Sequence, residues 1–273
     1  MKKADLHMHT TYSDGALKLE EVINLARDAN LDYISITDHD TLKGSIEAYR
    51  MQDRFTDIKF IIGLELSTEL NGESIHILGY FNGDYNLEGL ESYLENQRKQ
   101  REIRAFKIKD ALLKYFNIDL NMDFANNLLS ITRGSIAREI IKQGYPYTHK
   151  EIFDKMIGQG CPAYYPSTKL TTKHGIKLIH EYGGLAVLAH PCLLRHNRPL
   201  DIISLGIDGI EAVYPSNKDN DEARFRTYAR DNSLFITAGN DFHDFHDGKH
   251  GHIGELFLSD KELNIFLEKL DVK

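Results

Sequence analysis

Asp5-Leu-His7-Met-His9-Thr-Thr-Tyr-Ser-Asp14-Gly15, almost at the N-terminus, places two imidazoles two residues apart. On an extended backbone alternate side chains share a face, so His7 and His9 point into one pocket while Leu6 and Met8 point away from it. Asp14 then arrives from a polar turn, where Gly15 lets the chain bend sharply. Two histidines and a nearby carboxylate read as the opening of a metal site. An isolated pair of this kind is also short enough to be two incidental histidines on a buried strand, and the later motifs decide between the two.

Outward from this strand, Leu17 to Asn30 carries apolar residues at helical spacing, and Tyr33 to Thr37 alternates as a strand before Asp38-His39-Asp40. A helix over Ile46 to Phe55 and an apolar strand over Phe60 to Glu65 complete a β-α-β-α-β pattern, the signature of a parallel sheet wrapped by helices. Gly72-Glu73 reads as a turn, and Ser74 to Tyr80 as a strand carrying His76. The rhythm then breaks: about 82–164 is charged and helical, which predicts a helical insertion acting as a substrate cap. The barrel halves are then 1–81 and 165–273. In the second half the pattern resumes with a helix over Lys173 to Tyr182 and strands at Leu185 to Ala189, Gly209 to Val213 and Leu234 to Gly239. A closing strand over Glu255 to Leu258 and a last helix over Glu262 to Leu270 follow.

The 273 residues suffice for one barrel-sized domain with an insertion. A hydrophobic content of 41% with 27% charged residues, no apolar run of spanning length and no signal-peptide pattern at Met1-Lys2-Lys3 predict a soluble cytoplasmic protein without membrane contact. Two widely separated cysteines offer neither a disulfide framework nor a cysteine zinc finger. A formal net charge of −8 argues against binding long duplex nucleic acid, although bound divalent ions would reverse the field locally for a phosphorylated substrate.

His7, His9, His39, Glu65, His190, Asp241 and His243 all stand at or just past strand ends, and in a parallel α/β barrel those ends open on one face. His76 and Asp14 are placed to join them. Each has a bland alternative: His76 a core histidine between Ile75 and Ile77, Glu65 a surface carboxylate, Asp241-Phe-His243 a polar turn. Jointly those alternatives require histidines to fall at successive strand ends by accident. A set of imidazoles and carboxylates without thiolate suits manganese, iron or zinc. His246, His250 and His252 read as a solvated loop.

These motifs, with Ile36-Thr-Asp-His39-Asp-Thr41, His76-Ile-Leu-Gly-Tyr80 and Ala189-His-Pro191, resemble the polymerase and histidinol phosphatase (PHP) superfamily over nearly the whole chain. Arg133 to Ala137, Gly158 to Pro166 and Gly209 through Pro215 resemble its TrpH/YciV-like branch. The resemblance implies an α/β fold, a distorted (β/α)7 barrel with an inserted helical subdomain, and a hydrolase centre of two or three divalent metal ions (Mn, Fe or Zn). By motif position His7, His9, Glu65 and Asp241 hold one ion, Glu65 bridges to a second held by His76 and His190, and Asp14, His39 and His243 hold a third. It further implies cleavage of a phosphate monoester in a nucleoside 3′,5′-bisphosphate or at the 5′ end of a short oligonucleotide. Two positions depart from the branch: Ser135 and Asn217 stand where histidines are usual, which loosens the nucleotide assignment.

The chemistry asks for a nucleophile at neutral pH and neutralisation of phosphoryl oxygens, roles metals fill, with Glu65 bridging and His190 or His243 protonating the leaving oxygen. Arg98, Arg101 and Arg104 recur every three residues on the inserted helix and, with Arg133, Arg195, Ser135 and Asn217, are candidates for holding substrate. A solvated helix face paired with Glu95 and Glu102 is an equal reading of the three helical arginines. A histidinol-phosphate-like or other small-molecule phosphatase is the alternative enzyme, and a noncatalytic metal-binding domain the alternative class.

Overall fold

The computed structural model describes residues 2–83, 87–127, 131–166, 169–245 and 250–271. Contacts divide the chain into two compact units, residues 1–91 with 170–273, and residues 92–169.

The first unit opens with β1 (Ala4–Met8), α1 (Leu19–Asp28), β2 (Tyr33–Ile36), α2 (Lys43–Arg50) and β3 (Lys59–Leu70). Leu19, Val22, Ile23 and Ala26 recur at helical spacing, and this stripe packs α1 onto Met8, Ile34 and Ile36 of the adjacent strands. Next comes β4 (Glu73–Phe81), which runs antiparallel to β3. Asn71 and Gly72 both take positive φ, 51° and 81°, so β3 and β4 form a tight hairpin.

The helix α3 (Leu87–Phe116) runs across both units, and α4 (Arg133–Lys142) and α5 (His149–Ile152) belong to the second. The second unit has its own core, in which Ile108, Leu112, Ile136, Ile140, Ile152 and Met156 are buried together.

The first unit then resumes with β5 (Leu170–Thr171), α6 (Thr172–Glu181), β6 (Leu185–Leu188), α7 (Pro199–Ile203), β7 (Gly209–Val213), α8 (Asp221–Asp231), β8 (Phe235–Ala238) and α9 (Asp260–Lys269). The sheet runs β1-β2-β3-β4-β6-β7-β8, with β5 pairing β3. It nearly closes into a barrel: Asp241 N donates to His7 O at 2.8 Å and His9 N to Phe242 O at 2.9 Å. Phe266 of α9 packs edge-on to Tyr80, with ring centroids 5.2 Å apart, and seals the core around Leu6, Leu78 and Val187.

Two expectations change. The β4 strand is antiparallel to both its neighbours, β3 and β6. The closing strand over Glu255 to Leu258 is reduced to one bridge, Leu258 to Ala4, because Asn240 takes up Leu256 instead through both side-chain amide atoms.

Candidate metal centre

Every ligand candidate of the first unit is brought to one rim. His7 and His9 stand at the end of β1, His39 just past β2, Glu65 within β3, His190 just past β6, and Asp241 and His243 just past β8. His76 joins them from inside β4, opposite Ser67 of β3, because the hairpin turns the early part of β4 toward this rim. His190 and Asp241 hold positive φ, 27° and 52°, so the backbone bends as each strand ends.

The carboxylate of Glu65 is 1% exposed and its two oxygens sort the imidazoles. Oε1 lies 2.8 Å from His76 Nδ1 and 2.9 Å from His190 Nε2. Oε2 lies 3.3 Å from His7 Nε2, 3.2 Å from His9 Nε2 and 3.1 Å from His39 Nδ1. Asp241 Oδ1 joins the second set, 3.1 Å from Nε2 of both His7 and His9. Asp14, half exposed, forms a further group with His9, His39 and His243, and His243 Nε2 is 3.2 Å from its Oδ1. His9 and His39 therefore stand between groups rather than belonging to one.

These residues fit divalent ions. Glu65 Oε2, Asp241 Oδ1 and His39 Nδ1 are buried with no hydrogen-bond partner of acceptable geometry, although nitrogens or oxygens lie close by. Lone pairs converging on common centres without hydrogen bonds between them are what ligands around a cation present.

The electrostatics carry the same demand for positive charge. Burial alone lowers the pKa of His7, but the carboxylates of Asp241, Glu211 and Glu65 raise it well above the ordinary value. His9, opposed by burial in the same way, is raised to about 10 by Asp241 and Glu65. His39 is lowered to about 4, by burial first and by the neighbouring charges of His9 and His76. Burial pushes the carboxyls of Glu65 and Asp241 up, yet the surrounding imidazoles hold both well below the usual range.

Outside the ligands stands a ring of groups that sequence reasoning did not single out. Asp5 is fully buried and accepts from Asn240 Nδ2 at 2.6 Å, Asn240 N at 3.1 Å and Gly254 N at 3.2 Å, tying the segment after β8 to β1. Asp38 accepts from Thr10 N and Thr10 Oγ1, both at 2.8 Å, and from Ser13 Oγ at 2.6 Å, holding the turn that presents Asp14. Tyr214 donates to Asp241 Oδ2 at 2.8 Å, which orients Oδ1 toward the histidines. Glu211 lies between His7 and His190. A signal existed for Asp5, which shares the period-two face of His7 and His9, and for Glu211, a carboxylate inside an otherwise apolar strand.

The candidate substrate residues are more dispersed. Arg195 is exposed, and Asn217 donates to Ala212 O at 2.8 Å while its Oδ1 is buried without a hydrogen-bond partner. In the second unit Arg98, Arg101 and Arg104 lie along the less exposed side of α3, with Arg101 only 5% exposed, so they are not a solvated stripe. Arg133 packs its guanidinium over Tyr164 at 5.4 Å. Ser135 uses its hydroxyl in the capping box of α4, accepting from Thr132 N and donating to Thr132 O. His250, expected on a solvated loop, instead stacks on His243 with centroids 4.4 Å apart, while His252 is exposed and His246 lies outside the described residues.

The profile of the PHP domain family matches residues 5–165. A 5′-3′ exoribonuclease of Haemophilus influenzae is 32% identical over 252 residues, covering 89% of this chain and 90% of its own. A 3′,5′-nucleoside bisphosphate phosphatase of Chromobacterium violaceum is 30% identical over 253 residues, covering 89% of this chain and 88% of its own. Among solved structures, a protein of Bifidobacterium adolescentis assigned as a metal-dependent phosphoesterase superposes with a TM-score of 0.70 at 26% identity, over 97% of this chain and 96% of that one.

Proposed function

The chain belongs to the PHP domain family, and on that premise we propose that it is a metal-dependent phosphoesterase acting on a nucleoside 3′,5′-bisphosphate or on the 5′ end of a short oligonucleotide. The observation that carries the reading is Glu65. One of its oxygens faces His76 and His190 while the other faces His7, His9 and His39, the disposition of a carboxylate bridging two cations.

In this reading His7, His9, Asp241 and Glu65 would hold one ion, and Glu65, His76 and His190 a second. Asp14, His39 and His243 would hold a third. Such ions lower the pKa of water and offset the charge of phosphoryl oxygens. Manganese, iron or zinc suits the nitrogen and oxygen donors. Whichever of His190 and His243 is not fully engaged as a ligand would protonate the leaving oxygen, their side chains keeping 12% and 13% of their surface open at the rim. His243 Nδ1 is bonded to Asp241 O at 2.7 Å, so Nε2 is the atom that would either ligate an ion or pass a proton.

Recognition of a phosphate remote from the attacked one is assigned to Arg133 and to Arg98, Arg101 and Arg104. Arg195 and Asn217 are assigned to substrate from the first unit, and Ser135 contributes by fixing the start of α4 beside Arg133. Among the described residues no helix is long and apolar enough to cross a membrane. A cytoplasmic location goes with this reading, since two free thiols suit a reducing compartment.

The test is phosphate release, with manganese, from adenosine 3′,5′-bisphosphate, a 5′-phosphorylated oligoribonucleotide and histidinol phosphate, with nucleotide release followed for the oligonucleotide. Manganese-dependent turnover of either nucleotide is expected. Faster release from histidinol phosphate would favour the small-molecule alternative, and tight metal content with no release from any substrate would leave a noncatalytic domain.

A further inference from the structure

Glu211 is a buried carboxylate to which neither the family relationship nor the bridging arrangement assigns a part. It sits in β7, is 0% exposed, and uses its two oxygens on two ligand residues of different groups. Oε1 lies 2.9 Å from His7 Nδ1, and Oε2 accepts from the backbone N–H of His190 at 2.7 Å.

The His7 contact settles which nitrogen of that ring carries hydrogen. Nδ1 donates to Glu211, so the lone pair of the neutral ring is on Nε2, the atom facing Asp241 Oδ1, Glu65 Oε2 and His9. At His190 the contact acts on the backbone. That residue holds φ 27° and ψ 62°, the left-handed region that a side chain with a Cβ disfavours, and the bond to its N–H holds it there with Nε2 beside Glu65 Oε1.

Gly239 leaves room for this bridge. A Cβ there would stand 2.7 Å from Glu211 Oε1 and 2.2 Å from His7 Cβ.

We infer that Glu211 is a positioning residue that presets both ion groups at once, fixing the tautomer of His7 in one and the backbone of His190 in the other. A single carboxylate then couples the quality of two sites that share Glu65. The inference rests on the metal-centre reading above.

Glu211→Gln tests it, because the amide keeps the shape but has one acceptor for two N–H groups. Manganese affinity of the purified protein is measured by equilibrium dialysis, with circular dichroism confirming the fold. The variant is expected to bind manganese about 10–100-fold more weakly, the usual effect of losing the partner of a ligating histidine. A folded variant that binds as tightly as the parent overturns the inference, whereas a parent that binds no manganese overturns the metal-centre reading instead.

Should the variant fail to fold, the parent protein answers alone. Long-range proton–nitrogen spectra of the zinc-loaded, histidine-labelled chain, with His7 assigned by His7→Asn, are expected to show hydrogen on Nδ1. Hydrogen on Nε2 overturns the inference.

Discussion

Replacing Glu65 by glutamine changes no volume and removes one negative charge from the middle of the rim. Five imidazoles approach this carboxylate, at 2.8 and 2.9 Å on Oε1 and at 3.1, 3.2 and 3.3 Å on Oε2. In the amide one of those edges becomes a donor, so one group of histidines meets N–H where it met an acceptor. Breaking a buried, hydrogen-bonded charge cluster costs about 3–5 kcal/mol, and the lower end applies where imidazoles release protons in response. Three kcal/mol corresponds to about two decades in an equilibrium constant. Manganese bound 100-fold more weakly stabilises by about 2.7 kcal/mol less at fixed saturating metal. For a chain of this size that is a melting temperature lower by roughly 5–10 °C in manganese. The assay is thermal melting with and without manganese, paired with metal analysis after dialysis. The pH dependence has a definite sign: the Glu65 pKa is depressed in the fold, so its contribution is present above the ordinary carboxylate value of 4.5 and is lost as pH falls below it. A Glu65→Gln protein that keeps the full manganese-induced shift and the parental metal content would refute the bridging assignment.

Loading with metal at pH 7 is expected to release close to two protons, because His7 and His9 are held protonated by surrounding carboxylates, His9 up to about 10, and must become neutral to ligate. These raised values stabilise the ion-free fold fully below about 6.5, and that stabilisation fades as pH rises toward about 10. Calorimetry in two buffers of different ionisation enthalpy measures the release, and less than about half a proton per chain contradicts the coupling. Asp14→Ala removes a half-exposed ligand candidate that pairs with His9, His39 and His243, so the chain should lose one ion; unchanged metal stoichiometry removes Asp14 from the ligand set. Arg133→Ala should raise KM for a bisphosphate several-fold while leaving KM for a simple aryl phosphate alone, and equal effects on both substrates sink its assignment to a remote phosphate.

The rim was readable in the sequence because parallel strands deliver their last residues to one face. His39, His190, Asp241 and His243 announced themselves as polar residues just past apolar runs, and no contact information was needed to group them. The ring behind them was not readable in this way. Glu211 acts on His7 across 204 positions of sequence and Asp5 on Asn240 across 235, and a carboxylate inside a strand carries no local sign of its partner.

His76 reaches the rim by a route that parallel strand order does not offer. In a parallel strand it would sit well before the strand's end and away from the open face, and its neighbours Ile75 and Ile77 also allowed a core histidine. The sequence reads Gly72-Glu73 as a turn, and in the structure Asn71 and Gly72 both take the positive φ that a two-residue hairpin turn requires. With β4 reversed, its early residues belong to the same rim as the late residues of its parallel neighbours, and His76 comes opposite Ser67, two residues beyond Glu65. The hairpin therefore supplies a ligand from the wrong end of a strand, and the side of Glu65 that faces His76 and His190 exists only because the barrel departs from all-parallel order at β4.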